Sequence, residues 1–302
     1  MITALVLLTT LLPMQDKPAG KDPAAPPATP PAAAPGDKAA APAPAVPAET
    51  AEAVKKFLKD AEAHFYDPQA AGLSAVEFDV PIEMPQVGVI GNAHVSWAAG
   101  GTQTVTLDRT GGKELPAGVP VDMVENYGKQ MGVQMLGTML NKLISPLLED
   151  SVATMDGVED GLVKVSFHNP KATEAGVQEQ SLFFDDGGVL QRMRTVQDQE
   201  SGMGKVTIKQ VENFTWKPVK DGSSLLICPS QKGKAEMGMM AIDVDTQVSF
   251  ETVGEIVLAT QISTTQNVPM RGPINQVLKA TNLKVNGQPA APAAAPAPAK
   301  GG

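Results

Sequence analysis

Cysteine, aromatic residues and positive charge are all scarce in this 302-residue chain, and each shortage excludes something. The single cysteine, Cys228, leaves no intramolecular disulfide to form, so stability must come from a core. A lone thiol within LLICPS reads as a small core residue rather than a nucleophile, and it lies too far from the N-terminal apolar run to be a lipobox cysteine. Aromatics make up 4%, too few for the platforms of an open sugar-binding cleft. Asp243 and Asp245, which a strand through AIDVDT would place on one face, are therefore read as solvated acids and not as a glycosidase pair. The formal net charge is −9, and outside the low-complexity ends 20 basic residues stand against 30 acidic ones. A surface of that sign repels phosphate backbones and anionic headgroups, which excludes nucleic acid as a partner and simple electrostatic docking on a membrane.

Catalytic signatures are missing as well. No HExxH, HxH, GxSxG, P-loop or GxGxxG pattern occurs. His64, His94 and His168 stand apart, so no metal site is expected, and Asp156–Gly161 lacks the alternating spacing and closing Glu of a calcium loop, so its acids are read as solvated turn residues. The chain is read as a non-enzyme without a cofactor. A hydrolase would require a cleft in which His94 or His168 meets a carboxylate.

What is present begins with MITALVLLTTLLPMQ (1–15), an apolar run closed by a proline. It falls short of the ~20 residues that cross a bilayer as a helix and fits the core of a secretory signal peptide, which implies export to the bacterial periplasm or envelope. Between Lys17 and Ala48, 23 of 32 residues are Pro or Ala, and QPAAPAAAPAPAKGG repeats the bias at 288–302. Lacking large apolar side chains, these stretches cannot offset the entropy of ordering them. They are read as a disordered linker (16–48) and tail (288–302) around one domain at 49–287. The linker, at ~3.1 Å per residue, would reach about 100 Å and tether the domain to the membrane if the signal stays uncleaved.

Within the domain the hydrophobic period changes three times. Val54, Phe57, Leu58, Ala61 and Phe65 recur at helical spacing, ended by Asp67-Pro68. Val76, Phe78, Val80, Ile82 and Met84 then alternate as in a half-buried strand, with shorter strands expected at His94–Trp97 and Gln103–Leu107. From Met123 to Leu147 a helix returns, apolar over a broad arc and therefore buried on more than one side, with Gly128, Gly132 and Gly137 open to close approach by another backbone. After Gly161 the chain reads as strands and turns. Examples are the hairpin around Asp185–Gly188 and the runs Lys205–Val219, Ser223–Ile227, Thr246–Thr252, Glu255–Thr264 and Gln276–Val285, which imply an antiparallel sheet.

Methionine is the unusual component. Met123, Met131, Met135 and Met139 line the central helix, and Met237, Met239 and Met240 fall in a Gly-flanked stretch read as a mobile flap. Flexible, polarisable side chains of this kind suit surfaces that repack around variable apolar partners, and equally fill an irregular core. The helix–strands–helix–strands order, together with the closing pattern Val248–Phe250, Val253-Gly254-Glu255, Ile256–Ile262 and Leu278–Leu283 before Lys284-Val285-Asn286, resembles the LolA-like periplasmic lipoprotein carriers. The resemblance implies a curved sheet wrapping helices that shelter acyl chains.

The expected fold is α+β. A large curved, half-barrel-like antiparallel β-sheet carries the N-terminal amphipathic helix and the central apolar helix on its concave face, and the number of sheets is left open. The expected function is non-enzymatic binding or carriage of an apolar ligand, such as a lipid acyl chain or a lipoprotein anchor. Met131, Met135, Met139 and Leu143 from the helix, with Phe183, Phe214 and Trp216 from the sheet, would line the cavity. The alternative is a structural or protein-interaction module of the envelope with a closed core.

Overall fold

The computed structural model describes residues 48–84, 88–101, 103–115, 119–168, 176–201, 204–238, 240–270 and 272–290. The expected signal peptide, the linker up to residue 47 and the tail beyond residue 290 lie outside the described residues.

Helix α1 (Ala48–Glu62) buries Val54, Leu58 and Ala61 along one face, and Phe65 follows just past its end in a short parallel bridge to Leu226. Three strands come next: β1 (Ala75–Met84), β2 (Gly88–Ala98) and β3 (Thr104–Asp108). In β1 the alternation predicted from the sequence holds, with Val76, Phe78, Val80 and Ile82 inward. Helix α2 (Val121–Leu140) and the short α3 (Ser145–Asp150) precede the long run of strands. These are β4 (Val152–Glu159), β5 (Leu162–His168), β6 (Gly176–Phe184), β7 (Leu190–Ser201), β8 (Gly204–Pro218), β9 (Leu226–Met237), β10 (Met240–Val253), β11 (Ile256–Val268) and β12 (Gly272–Lys279). The chain closes with β13 (Thr281–Val285) and β14 (Gln288–Pro289), the latter two residues past the expected boundary at 287.

The strands form two antiparallel sheets. Nine of them, β4 to β12, make an uninterrupted meander in which every strand pairs with its neighbour in sequence. The other five run in the order β14-β13-β1-β2-β3, so the last part of the chain returns to pair with the first strand. The change of sheet falls at Ala280, whose N–H donates to the Thr260 carbonyl at 2.9 Å. Asn286 then fastens the return. Its Oδ1 accepts from the backbone N–H groups of Ser74 (2.8 Å) and Ala75 (3.1 Å), and its Nδ2 donates to the Gly72 carbonyl (2.9 Å).

Helix α2 packs against β1, β2 and β3 on one side and β11 and β12 on the other. Two of its three glycines explain the approach to the smaller sheet: a methyl group on Gly132 would sit 2.8 Å from Val105 Cγ1, and one on Gly128 would sit 2.8 Å from Leu107 Cδ1. Gly137, expected to serve likewise, has nothing within 4 Å. Helix α1 lies at the other end of the nine-stranded sheet, in a separate core with Val165, Phe167, Leu182, Phe184, Met193 and Phe214.

Four expectations need correction. The central helix stops at Leu140, where Asn141 turns left-handed (φ 51°), so Leu143, Ile144 and Leu147 lie beyond it. The run Gln276–Val285 is two strands in different sheets. The Gly/Met stretch is no loose flap but the β9–β10 hairpin, Met237 opposite Met240 across Gly238 (φ 58°). Asp156 to Glu159 belong to β4, and only Asp160-Gly161 forms the turn, both with positive φ.

Candidate functional site

Between β1 and β12 the two sheets part, leaving a cleft of about 470 Å³. Ile82 and Met84 of β1, Tyr127 and Met131 of α2, and Gln276 and Leu278 of β12 line it, with Lys113 also on its wall. The cleft exists because β12 ends one sheet while β1 pairs only with β2 and β13, so no strand bridges the gap. Gln276 organises the wall: its Nε2 donates to Tyr127 Oη at 2.8 Å and lies 3.1 Å from Met131 Sδ. Burial pushes the Tyr127 phenol up to about 12, so it stays a neutral hydrogen-bonding group. The volume falls within the range of small-ligand pockets, ~300–1,000 Å³.

Of the seven residues expected to share one cavity, only Met131 reaches this cleft. Met135 and Met139 are fully buried in the same core without lining it. Leu143, Phe214 and Trp216 sit in the α1 core, where Trp216 stacks on Phe65 at 4.5 Å between ring centres and donates its indole N–H to the Leu190 carbonyl. Phe183 faces the opposite side of the sheet, beneath the guanidinium groups of Arg192 (4.2 Å) and Arg194 (5.0 Å). Strand alternation accounts for this: Leu182 and Phe184 enter the α1 core, so Phe183 between them points away.

The face of the nine-stranded sheet that carries both cores is not apolar throughout. Between the two helices runs a belt of buried polar side chains: Gln180, Thr195, Gln210, Glu212, Gln231, Thr246, Thr264 and Gln266. Glu212 is 5% exposed and accepts a 2.6 Å hydrogen bond from Gln210 Nε2. Burial outweighs that hydrogen bond and pushes its carboxyl up to about 7. The sequence reading missed this residue, although a signal existed. Ile208, Gln210, Glu212 and Phe214 share one parity along β8, so inward Ile208 and Phe214 place the two polar residues between them inward as well.

His94 does meet a carboxylate: its Nδ1 lies 2.8 Å from Asp79 Oδ1. The pair stands on the outer face of the smaller sheet, with His94 exposed, and lines neither the seam cleft nor the second cleft of about 450 Å³ beside Tyr66 and Lys142. Burial opposes ionisation of Asp79, but the hydrogen bonds from Asn282 and His94 and the charge of Lys284 together hold its carboxyl below the usual range. Cys228 is buried in the α1 core, and burial pushes its thiol up to about 11, far from a nucleophile's range.

No family model matches the chain, and neither does any curated protein or solved structure. Fold and cleft define the class: a sheet-dominated α+β protein of two antiparallel sheets, open at one seam.

Proposed function

We propose that the protein binds the apolar part of an amphiphile, an acyl chain or lipoprotein anchor, in the seam cleft, and that it works as an exported, non-enzymatic carrier in the bacterial envelope. In this reading the two sheets act as one curved half-barrel with both helices on its concave side, as in the LolA-like carriers that the strand pattern resembles. The supporting observation is the cleft itself, walled by Ile82, Met84, Met131 and Leu278 and deep enough to reach the α2 core. Moving a chain from water onto such a surface gains ~0.8 kcal/mol per CH₂, and Met131 and Met84 adapt to chains of different shape.

Native mass spectrometry of protein purified without detergent tests this. A bound species of lipid mass, or uptake of added dodecanoate, is expected in the natural chain. Loss is expected in Met84→Asp, which places a charge on a half-buried wall position at the end of β1. A clean ligand-free mass with no uptake would sink the proposal. The second reading, an interaction module pairing through a sheet edge, is supported by β4, an edge strand that exposes Val152, Met155 and Val158.

A further inference from the structure

A third core lies on the nine-stranded sheet alone. Ile208, Ala235, Ile242, Val244 and Val268, with Met237 and Ile274 packed beside them, form a separate cluster on β8 to β12. Strand pairing puts them on one face. Ile208 stands opposite Met237, Ala235 opposite Ile242, and Gln266 opposite both Val244 and Ile274, with Val268 two residues further along β11. No residue of a helix or of the smaller sheet belongs to the cluster. Yet Ile208 and Ala235 are 1% exposed and Ile242 is 2% exposed. Neighbours on the same face flank a side chain but leave its tip open, and a second layer is what closes the tip. The opposite face of the same strands shows the uncovered condition, with Lys209, Lys234 and Asp243 exposed.

The chain holds one stretch suited to be that layer. Outside the described residues, only MITALVLLTTLLPMQ (1–15) has a run of large apolar side chains, with seven leucine, isoleucine or valine residues and no charged side chain. The other stretches are Pro/Ala-rich or at most seven residues long. Dimensions agree. Residues 1–12 would span ~18 Å as a helix, and β8 to β12 span ~19 Å at ~4.8 Å between strands. The 32 residues from 16 to 47, at ~3.1 Å each, reach far beyond that distance from the start of α1 at Ala48. Charge agrees as well. Glu212 borders the cluster, opposite Gly233, which is itself opposite Val244. The positive charge of the chain's N-terminus acts on Glu212 and opposes the larger effect of burial on its carboxyl.

We propose that residues 1–15, while still attached, dock as the second layer across β8 to β12, their apolar side chains on Ile208, Ala235 and Ile242. The chain then carries its own occupant for this face, and removal of the segment uncovers it. The inference is independent of the seam reading, because Ile274 alone of the cluster lines the seam cleft. Photocrosslinking tests it in the full chain, made by cell-free translation with benzoylphenylalanine in place of Leu8. Mixing unlabelled and isotope-labelled chains separates crosslinks within one chain from those between two. Crosslinks within one chain to 205–212, 233–237 or 241–246 are expected. Crosslinks to another segment, crosslinks between two copies, or none, overturn the proposal. A chain beginning at residue 16 gives a second reading: with its β-sheet circular dichroism unchanged, it should raise anilinonaphthalene sulfonate fluorescence about threefold or more. Where that truncation unfolds the protein, Leu8→Asp in the full chain takes its place with the same rise expected. Fluorescence equal to that of the natural chain overturns the proposal in either variant. Dodecanoate uptake at the seam is measured separately, so each reading fails on its own result.

Discussion

Glu212 also makes a prediction about stability. Its carboxyl is raised from the ordinary 4.5 to about 7 in the folded protein, so the fold favours the protonated form. Its stabilising contribution is complete below pH ~4.5 and is lost as pH rises toward 7, where the unfolded chain ionises first. At one pKa unit per 1.36 kcal/mol the loss is on the order of 3 kcal/mol. Glu212→Gln should therefore remove most of the decline in urea-unfolding free energy between pH 4.5 and 7 and be the more stable protein at pH 8. Residues of this kind are hard to find by hydrophobicity, because the inward position is polar. The same cause hid β9, whose inward residues are Gln231, Gly233 and Ala235 and whose outward ones are Lys232, Lys234 and Glu236. Only Ala235 there carries an apolar signal, so alternation could not be seen.

At the scale of elements, the sequence read best where burial is one-sided and apolar. Strand β1 and helix α1 were legible because every second residue, or every third and fourth, is large and hydrophobic. Helix α2 was legible as buried on two sides, but its C-terminal limit was not: Leu143, Ile144 and Leu147 keep the apolar density after Asn141 has already turned the chain. The glycines of α2 separate two kinds of prediction. Gly132→Val forces a side chain into Val105 and Val95 and should cost about 1–3 kcal/mol by overpacking. Gly137→Ala meets nothing and should stabilise by about 0.5–1 kcal/mol, because a mid-helix glycine is entropically costly. Urea unfolding of the two variants checks both signs. The candidate cleft, by contrast, was only partly legible. Met131 was found from helical spacing, whereas Tyr127, Gln276 and Lys113 come together only through the placement of β12 beside β1.

For the whole molecule, the antiparallel, sheet-dominated architecture followed from the strand-and-turn pattern, but the division into two sheets did not. Nothing local marks Ala280 as the point where the chain leaves one sheet for the other, since apolar residues continue at Leu278, Leu283 and Val285. The division has a consequence for the order of assembly. Each strand of the meander finds its partner a few residues away, a cheap loop closure, whereas β1 must wait for β13, some two hundred positions later. At a synthesis rate of ~5–20 residues per second that interval is about 10–40 s, during which β1 and β2 exist as a hairpin with a free edge. The Asn286 clasp is then among the last contacts made. Asn286→Ala should leave the refolding rate in stopped-flow experiments nearly unchanged and raise the unfolding rate several-fold. The chain is thus sealed by its last described strands, and until β13 arrives the smaller sheet keeps an open edge along β1.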